Sequence, residues 1–332
     1  MNLGGPVASV PSMSDRRSHL NAIKLRALAG VAAEAVPLGT GAALVDGDTA
    51  WVLVDDDPAT RLGAALAWAL RRDASRLELV ADAGTGVLAR RAAEFAFPIA
   101  VWHAEGRSLL PAVAEPQPPV PELPAHHEAF RALIVEGGAT PIVEGGVLAG
   151  EVAGLEVCRV VDDEYLGATR LEVGVGAHDR EAFQMLHGDV PTVDSLARVV
   201  AAVAEHRRPE AAPHPLNRLA AERLLRWRLL EQPRLVGASA LAPAEPPVPR
   251  RNLKDPVPCV AVGTTADGAP VCVVCSTGVE LDVLPYAADA RLAQGEPGVG
   301  SLIIVMPSRD RLPVIEAIAG HLRHSVTFAA LD

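Results

Sequence analysis

Aspartates gather at the predicted ends of two strands, where they could hold a divalent cation. Asp55 and Asp57 follow one apolar run and Asp82 follows the next. If the two strands are neighbours in a sheet, the carboxylates converge at its edge, and carboxylate oxygens are the ligands that Mg²⁺ prefers. Acids also suit the start of a helix, because carboxylates are favourable at helix N-termini. We expect no tightly bound cofactor. If these acids bind a metal ion, Mg²⁺ is the ion expected.

A glycine pattern gives a second candidate site. Gly84-Thr85-Gly86 follows a predicted strand and precedes a predicted helix, and Glu105 comes about 20 residues later, where an acid could bind a ribose. This context is typical of a dinucleotide-binding turn. Asp82 argues against it, because its carboxylate would lie beside the pyrophosphate. An ordinary strand-to-helix turn is the alternative interpretation.

The middle of the chain has the densest set of titratable groups, and a catalytic centre there would use some of them. Two predicted strands carry Arg159 and Glu172, which would face each other as an ion pair if the strands form a hairpin. A helix start follows them, with a histidine as a candidate base and an aspartate that could orient it or cap the helix. The acids occur in the order found in metal-dependent nucleases of the restriction type, but the lysine that such sites need after the last acid is absent. The catalytic candidates are Glu151, Glu156, Glu172, His178 and Asp179.

Basic residues cluster between residues 205 and 254, which hold ten Lys or Arg against five Asp or Glu. The predicted helix over 215–232 carries several of the arginines, and a basic loop follows the second proline-rich segment. Such a face could contact phosphates, and Trp227 could stack on a base. The alternative is a solvated helix face that pairs with acids of the same chain. The predicted partner-binding residues are Arg218, Arg223, Arg226, Arg250, Arg251 and Lys254.

Composition excludes several classes of protein. The 332 residues carry a net charge of −11, which disfavours coating of nucleic acid by the whole surface. Only two of the 30 basic residues are lysines, and the chain has no Gly-Lys-Ser/Thr sequence, so a phosphate-binding P-loop is excluded. Four cysteines do not form a secreted disulfide framework. With no signal peptide and no long apolar run, we expect a cytoplasmic protein that does not enter a membrane.

These candidate residues have to be positioned by α/β elements that occur twice in the sequence. Residues 41–104 show a hairpin pattern around Asp46-Gly47, then helix, strand, helix and strand, and residues 257–330 repeat that order around Asp267-Gly268. The spacing predicts an α/β protein with two related ββαβαβ lobes, a degenerate internal repeat. Chance similarity is the alternative, because such patterns are common.

The predicted lobes are joined by a middle segment that contains a β-hairpin and amphipathic helices. Two proline clusters, suited to extended polyproline structure, mark its ends. The predicted organisation is a flexible tail over 1–18, an N-terminal lobe over 19–113, a linker over 114–125, the middle segment over 126–241, a linker over 242–250 and a C-terminal lobe over 251–332.

No catalytic constellation in the sequence is decisive. We therefore expect a non-catalytic binding or scaffolding protein, whose Arg-rich helix and loop contact nucleic acid or an acidic protein surface. The first alternative is a Mg²⁺-dependent phosphodiesterase, nuclease-like in its acids. The second is a nucleotide-binding protein that uses the turn at Gly84.

Overall fold

The structure, a computed structural model, describes residues 13–163, 167–176, 179–180, 192–208, 211–212, 214–250, 252–294 and 300–332. It is a mixed α/β structure with three sheets and eight α-helices in the described part of the chain. No helix among these residues is long and apolar enough to span a bilayer. The chain forms two compact units, of which unit 1 comprises residues 1–116 and 313–324, and unit 2 comprises residues 117–312 and 325–332.

Unit 1 is built on a six-stranded sheet in sequence order. Its strands are β1 Val36–Leu38, β2 Gly41–Asp46, β3 Thr49–Val54, β4 Arg76–Ala81, β5 Ile99–Glu105 and β6 Ser108–Pro111. Strands β3, β4 and β5 are parallel, and the other neighbouring pairs are antiparallel. Its helices are α1 Met13–Ala29, α2 Leu62–Leu70, α3 Thr85–Ala92 and α8 Pro313–Ala319.

The elements of unit 1 follow from local sequence. The β2–β3 turn is the two-residue Gly47-Asp48, and Gly47 adopts φ +60°, as a tight hairpin requires. The β3 and β4 strands are mostly apolar and mostly buried, as expected of strands covered on both faces. Before α2, Pro58 opens a short 3₁₀ turn with Asp57 at its N-terminal boundary, and the α-helix itself begins at Leu62. Helix α1 begins at Met13, inside the range that the sequence predicts as a tail.

Unit 2 begins with an antiparallel sheet of four strands. These are β7 Thr140–Glu144, β8 Val147–Val152, β9 Leu155–Asp163 and β10 Ala168–Val173, in the order β10-β9-β8-β7. Helices α4, Arg131–Glu136, and α5, Thr192–His206, pack on this sheet through a core that includes Ile134, Leu196 and Val203. The register places Glu172 opposite Arg159, as the hairpin prediction requires.

A second sheet completes unit 2. Its strands are β11 Ala238–Ala244, β12 Cys259–Thr265, β13 Pro270–Cys275, β14 Ser301–Met306 and β15 Val326–Ala330, in sequence order. Helix α6, Ala221–Glu231, packs on β11, β12 and β13, and helix α7, Val283–Ala293, packs on β13 and β14. All four cysteines are free and buried, three of them in β12 and β13.

The six-stranded sheet of unit 1 and the five-stranded sheet of unit 2, which we call the outer sheets, share their pairing pattern over four strands. In both, an antiparallel hairpin is followed by two parallel neighbours: β2-β3-β4-β5 in unit 1 and β12-β13-β14-β15 in unit 2. The turns differ in length, because Asp46 pairs with Thr49 whereas Thr264 pairs with Pro270. In both sheets a further strand, β1 or β11, pairs antiparallel with the first hairpin strand.

Candidate functional site

A basic groove lies in unit 2, where the chain passes from α5 to α6. We call it the arginine groove. Its volume is about 340 Å³. The side chains around it are mostly cationic, polar or aromatic, which suits an anionic ligand with a flat apolar part. It is lined by Arg207, Arg208, Ala211, His214, Asn217, Arg218, Leu224, Trp227 and Arg228.

Arg207 holds the wall of the groove in place. Its guanidinium is buried and donates hydrogen bonds to the carbonyl oxygens of Ala153, Leu216 and Leu219 at 2.9–3.1 Å. Burial lowers the pKa of Arg207 to about 10. Because its N–H groups are used by backbone carbonyls, Arg207 positions the segment before α6 and contributes only long-range charge to a ligand.

Two other arginines of the groove are open to solvent. Arg208 and Arg218 are exposed, and neither makes an ion pair with any residue that the structure describes. Arg228 is half-buried and donates to the main-chain oxygen of Asp332 at 3.1 Å. Free guanidinium groups bind phosphate or carboxylate oxygens through paired N–H donors.

The groove also offers groups that contact a flat heterocycle. The indole of Trp227 lines it, and the rings of His206 and His214 stack at 3.8 Å with an angle of 7° between their planes. The side-chain Oδ1 atom of Asn217 is buried and has no hydrogen-bond partner among the described residues. The indole face suits a ligand that has a flat ring.

The structure places Arg223 and Arg226 in the interior, and not on the exposed helix face that the sequence analysis assigned to them. The Arg223 side chain contacts Glu144 and lies 2.9 Å from Glu151, while Arg226 lies 2.7 Å from Glu144 and is 1% exposed. Burial by itself raises the pKa of the Glu144 carboxyl, but the charges of Arg226 and Arg223 outweigh it and hold that pKa below its usual range. Buried cations need buried partners, so these two arginines join α6 to β7 and β8.

The other predicted partner-binding residues are separated. The side chain of Arg250 is 8% exposed and lies in a cavity of about 170 Å³, with Glu156 as its nearest acid at 3.9 Å. Burial lowers the pKa of Arg250. Lys254 is exposed in a turn, and Arg251 lies outside the described residues. Only Arg218 and Lys254 of this set are thus seen at the surface.

The acids proposed as catalytic are neutralised by arginines. Glu156 accepts from Arg159 and Arg180 at 3.0 Å, and Glu172 accepts from Arg170 at 2.9 Å. Arg159 pairs with Glu156, and not with Glu172 across the ladder. The β8–β9 register shifts between Cys158 and Glu156, and such an irregularity lets two residues three positions apart on β9 share a face.

Three catalytic candidates remain: Glu151, His178 and Asp179. Asp179 is exposed and lies in helical backbone, with Gly176 before it also helical, and His178 lies outside the described residues. Glu151 belongs to the buried cluster around Arg223 and Arg226. Three acids of this set, Glu151, Glu156 and Glu172, are thus paired with arginines.

The acids proposed to bind Mg²⁺ do lie on neighbouring strands, since Val54 pairs with Ala81 in the sheet of unit 1. Helix α1 supplies them with cations: Arg17 lies 2.5 Å from Asp55, and Lys24 lies 2.5 Å from Asp82. Asp57 accepts instead from Thr60. The strands are neighbours, but two of the three carboxylates are paired with basic side chains of α1.

The glycine turn is filled by the protein itself. A Cβ atom on Gly86 would come within 2.7 Å of Glu115 Oε2, and the backbone N–H of Glu115 donates to the Gly86 carbonyl at 3.2 Å. Glycine is therefore needed here for packing of the proline-rich segment. Glu105 is exposed at the β5–β6 turn, where it pairs with Ser108 in the ladder. The proline-rich segment thus packs directly against the turn at Gly86.

One group of potential metal ligands escaped the sequence analysis. His126, His127 and Asp162 place their ligand atoms within 4.8 Å of one another, and no other group of three was found among the described residues. The two histidines lie in a turn before the 3₁₀ helix Glu128–Phe130. The His-His pair was the available signal, but its partner Asp162 is 35 residues away and on a strand.

Comparison with known proteins identifies no relative. No family model, no curated protein and no solved structure matches this chain.

Proposed function

We propose that this protein is a non-catalytic binding protein whose arginine groove contacts single-stranded nucleic acid. The observation that carries the proposal is the presence of two exposed arginines without ion-pair partners among the described residues, beside the half-buried Arg228 and Trp227 in a groove of about 340 Å³. Phosphates would contact Arg208, Arg218 and Arg228, and a base would stack on Trp227.

Single-stranded nucleic acid is favoured over an acidic protein surface by the non-ionic part of the groove. Carboxylates would satisfy the arginines but would leave the indole unused. A base has a flat face that can stack on Trp227. The net charge of −11 fits a single localised contact rather than a broad electrostatic surface.

The proposal retains the basic segment of the sequence analysis but changes its residues. Arg218 stays, and Arg208 and Arg228 join it. Arg223 and Arg226 are omitted because their charges are already paired in the interior. Arg250 is omitted because its side chain lies in a different cavity.

The test is a fluorescence-anisotropy titration of labelled 12-nucleotide single-stranded DNA and RNA at several salt concentrations. We expect the Arg208→Glu, Arg218→Glu double variant to bind at least about 10-fold more weakly and to lower the salt slope by about two, since each lost phosphate contact reduces the slope by about one. Trp227→Leu should weaken binding about 10-fold with little change in the slope, because stacking contributes roughly 1–3 kcal/mol per base.

Arg234→Glu is the matched control, because Arg234 is exposed in the same unit but does not line the groove. It makes the same charge change and should bind nearly as the wild type does. Equal weakening by Arg234→Glu would show that only net charge matters and would overturn the proposal. Binding of poly-glutamate peptide in place of nucleic acid would also overturn it, in favour of an acidic protein partner.

We further propose that the two outer sheets come from one duplicated unit. The same four-strand pairing pattern supports it, with β3 and β13 beginning 221 residues apart, β4 and β14 225 apart, and β5 and β15 227 apart. The shared pattern extends beyond the ββαβαβ core. In each case a helix, α1 or α6, and then an antiparallel strand, β1 or β11, precede the hairpin.

A further inference from the structure

We propose that His126, His127 and Asp162 form a binding site for one Zn²⁺ ion in unit 2, separate from the arginine groove. The two imidazoles and one carboxylate are the donor types that zinc takes in protein sites with three protein ligands. None of the three residues lines the groove, so the inference does not depend on the proposed function.

Different elements bring the three side chains together. His126 and His127 lie in the turn before the 3₁₀ helix Glu128–Phe130, and Asp162 lies near the end of β9. Adjacent residues of a strand point to opposite faces, but this turn brings both imidazoles to one side, with ring centroids 4.6 Å apart. The Nε2 atoms of both histidines are 3.0 Å from the same atom, Asp162 Oδ1.

The hydrogen bonding around Asp162 leaves room for a cation rather than for two more N–H donors. The hydroxyl of Thr169, opposite Asp162 in the β9–β10 ladder, donates to Oδ1 at 2.7 Å. A carboxylate oxygen has two lone pairs, so one remains on Oδ1 for two imidazoles. A single cation between the three groups would use that lone pair together with one lone pair from each histidine.

His127 provides an independent indication. Its side chain is 7% exposed, and neither of its ring nitrogens has a hydrogen-bond partner of suitable geometry among the described residues. A buried imidazole whose nitrogens make no well-aligned hydrogen bond is costly, because those nitrogens have lost their hydrogen bonds to water. The Nε2 atom faces the point where His126 and Asp162 meet, so a bound ion would satisfy it.

The dimensions suit zinc. At Zn–ligand distances of about 2.0–2.1 Å, the ligand atoms of a tetrahedral site are roughly 3.3 Å apart. The two separations to Asp162 Oδ1 are 3.0 Å and need only a small adjustment, and all three ligand atoms lie within 4.8 Å of one another. His126 and Asp162 are each more than half exposed, so a water molecule or a small anionic ligand could reach the fourth position. Three protein ligands and an open position are the arrangement of zinc sites that bind exchangeable ligands.

The experiment is a competition titration of the whole protein with Zn²⁺ and a chromogenic chelator. Wild-type protein should bind one equivalent with a Kd below about 10 μM. His126→Ala and Asp162→Asn should each weaken binding at least about 100-fold, since even outer-shell partners change metal affinity by roughly 10- to 100-fold. Thr169→Val removes such an outer-shell hydrogen bond and should weaken binding about 10-fold.

His324→Ala is the control, because His324 is an exposed histidine in unit 1. It should bind Zn²⁺ as the wild type does. His126 is exposed, so His126→Ala should keep the far-UV circular dichroism and the melting temperature of the metal-free protein. X-ray absorption of the zinc-loaded protein should show two imidazole nitrogens and oxygen ligands at about 2.0–2.1 Å.

Three results would overturn the site. One is a Kd above about 1 mM for the wild-type protein, which would mean that the cluster is only a histidine–aspartate hydrogen-bonded group. Another is an unchanged affinity in the His126→Ala, Asp162→Asn double variant. The third is loss of the zinc equivalent in His324→Ala, which would place the ion elsewhere.

Discussion

Helices α1 and α6 occupy similar positions in the two outer sheets, yet their cations are in opposite environments. Each helix precedes an antiparallel edge strand and a hairpin, and each buries leucines against its own sheet, Leu25 on α1 and Leu225 and Leu229 on α6. Helix α1 presents Arg17 and Lys24 to aspartates at an exposed sheet edge. Helix α6 instead buries two arginines against Glu144 and Glu151.

The difference shows that similar ion pairs have unequal consequences for stability. A solvent-exposed pair is screened and contributes roughly 0–1 kcal/mol, because water competes for both charges. A buried pair contributes little net stability over an apolar pair of the same shape, but loss of one member leaves an uncompensated charge in the interior. Substitution of a buried arginine of α6 should therefore lower the free energy of unfolding much more than substitution of Arg17 or Lys24 on α1.

Arg226→Met should have the largest effect. It leaves Glu144 and Glu151 buried with Arg223 as their remaining cation, and we expect the free energy of unfolding to fall by about 3–5 kcal/mol. Urea unfolding followed by circular dichroism at pH 7 would measure it. Arg228→Met, on the same helix but half-exposed, should cost less than about 1 kcal/mol. A loss below about 1 kcal/mol for Arg226→Met would show that the two helices do not differ in this way.

Gly154→Ala should have an intermediate effect. Gly154 adopts φ +78° in the β8–β9 turn, and a Cβ atom there would lie 2.3 Å from the carbonyl oxygen of Arg223 on α6. We expect a loss of about 2–3 kcal/mol in urea unfolding, from the left-handed backbone and the forced movement of α6.

Gly47→Ala is the matched substitution in the β2–β3 turn of unit 1. Gly47 adopts φ +60°, and an added Cβ atom would meet nothing within 4 Å. Gly47→Ala should therefore lower the free energy of unfolding only by the cost of the left-handed backbone conformation, about 1 kcal/mol. Equal losses for the two alanine variants would contradict the close approach of α6 to the turn.

Asp55→Asn should change the free energy of unfolding less than Arg226→Met or Gly154→Ala does, and its effect should depend on pH. Partial burial raises the pKa of Asp55, but hydrogen bonds from Arg17 and Asn21 outweigh it and leave that pKa below its ordinary value. A carboxyl with a lowered pKa stabilises the folded state above its unfolded pKa of about 3.9, and this stabilisation is lost as the pH falls through the folded pKa. The stability difference between wild type and Asp55→Asn should therefore be constant near pH 7 and shrink below about pH 4.

Urea unfolding at pH 7 and at pH 3 would measure this difference. Asp57→Asn is the control, since Asp57 is at the same edge and has no cationic partner among the described residues. It should change stability little at either pH. A wild-type advantage over Asp55→Asn that grows on acidification would contradict the pairing with Arg17.

Local sequence patterns were sufficient for much of the fold. Alternation and turn residues predict the β2–β3 and β12–β13 hairpins, and the structure has both. The same reasoning correctly places Glu172 opposite Arg159 and brings the strand ends before Asp55 and Asp82 together. These features depend on residues close in sequence or on the period of a strand, which a single sequence shows directly.

The site was harder to predict, because it depends on partners that are distant in the chain. Nothing near Arg226 indicates that Glu144, 82 residues earlier, will take its charge. A helix with arginines on several faces has no apolar stripe that would reveal which of them is buried. The adjacent histidines likewise gain meaning only once β9 places Asp162 beside them.

Residues 313–324 belong to unit 1, although about two hundred residues of unit 2 separate them from the rest of that unit. In this stretch α8 packs against α2, and Leu322 forms a bridge with Phe95. During translation, unit 1 therefore cannot be completed until residue 324 has left the ribosome. A nascent chain would expose the apolar surface that α8 covers for most of its synthesis, so chaperone binding should concentrate on the N-terminal region.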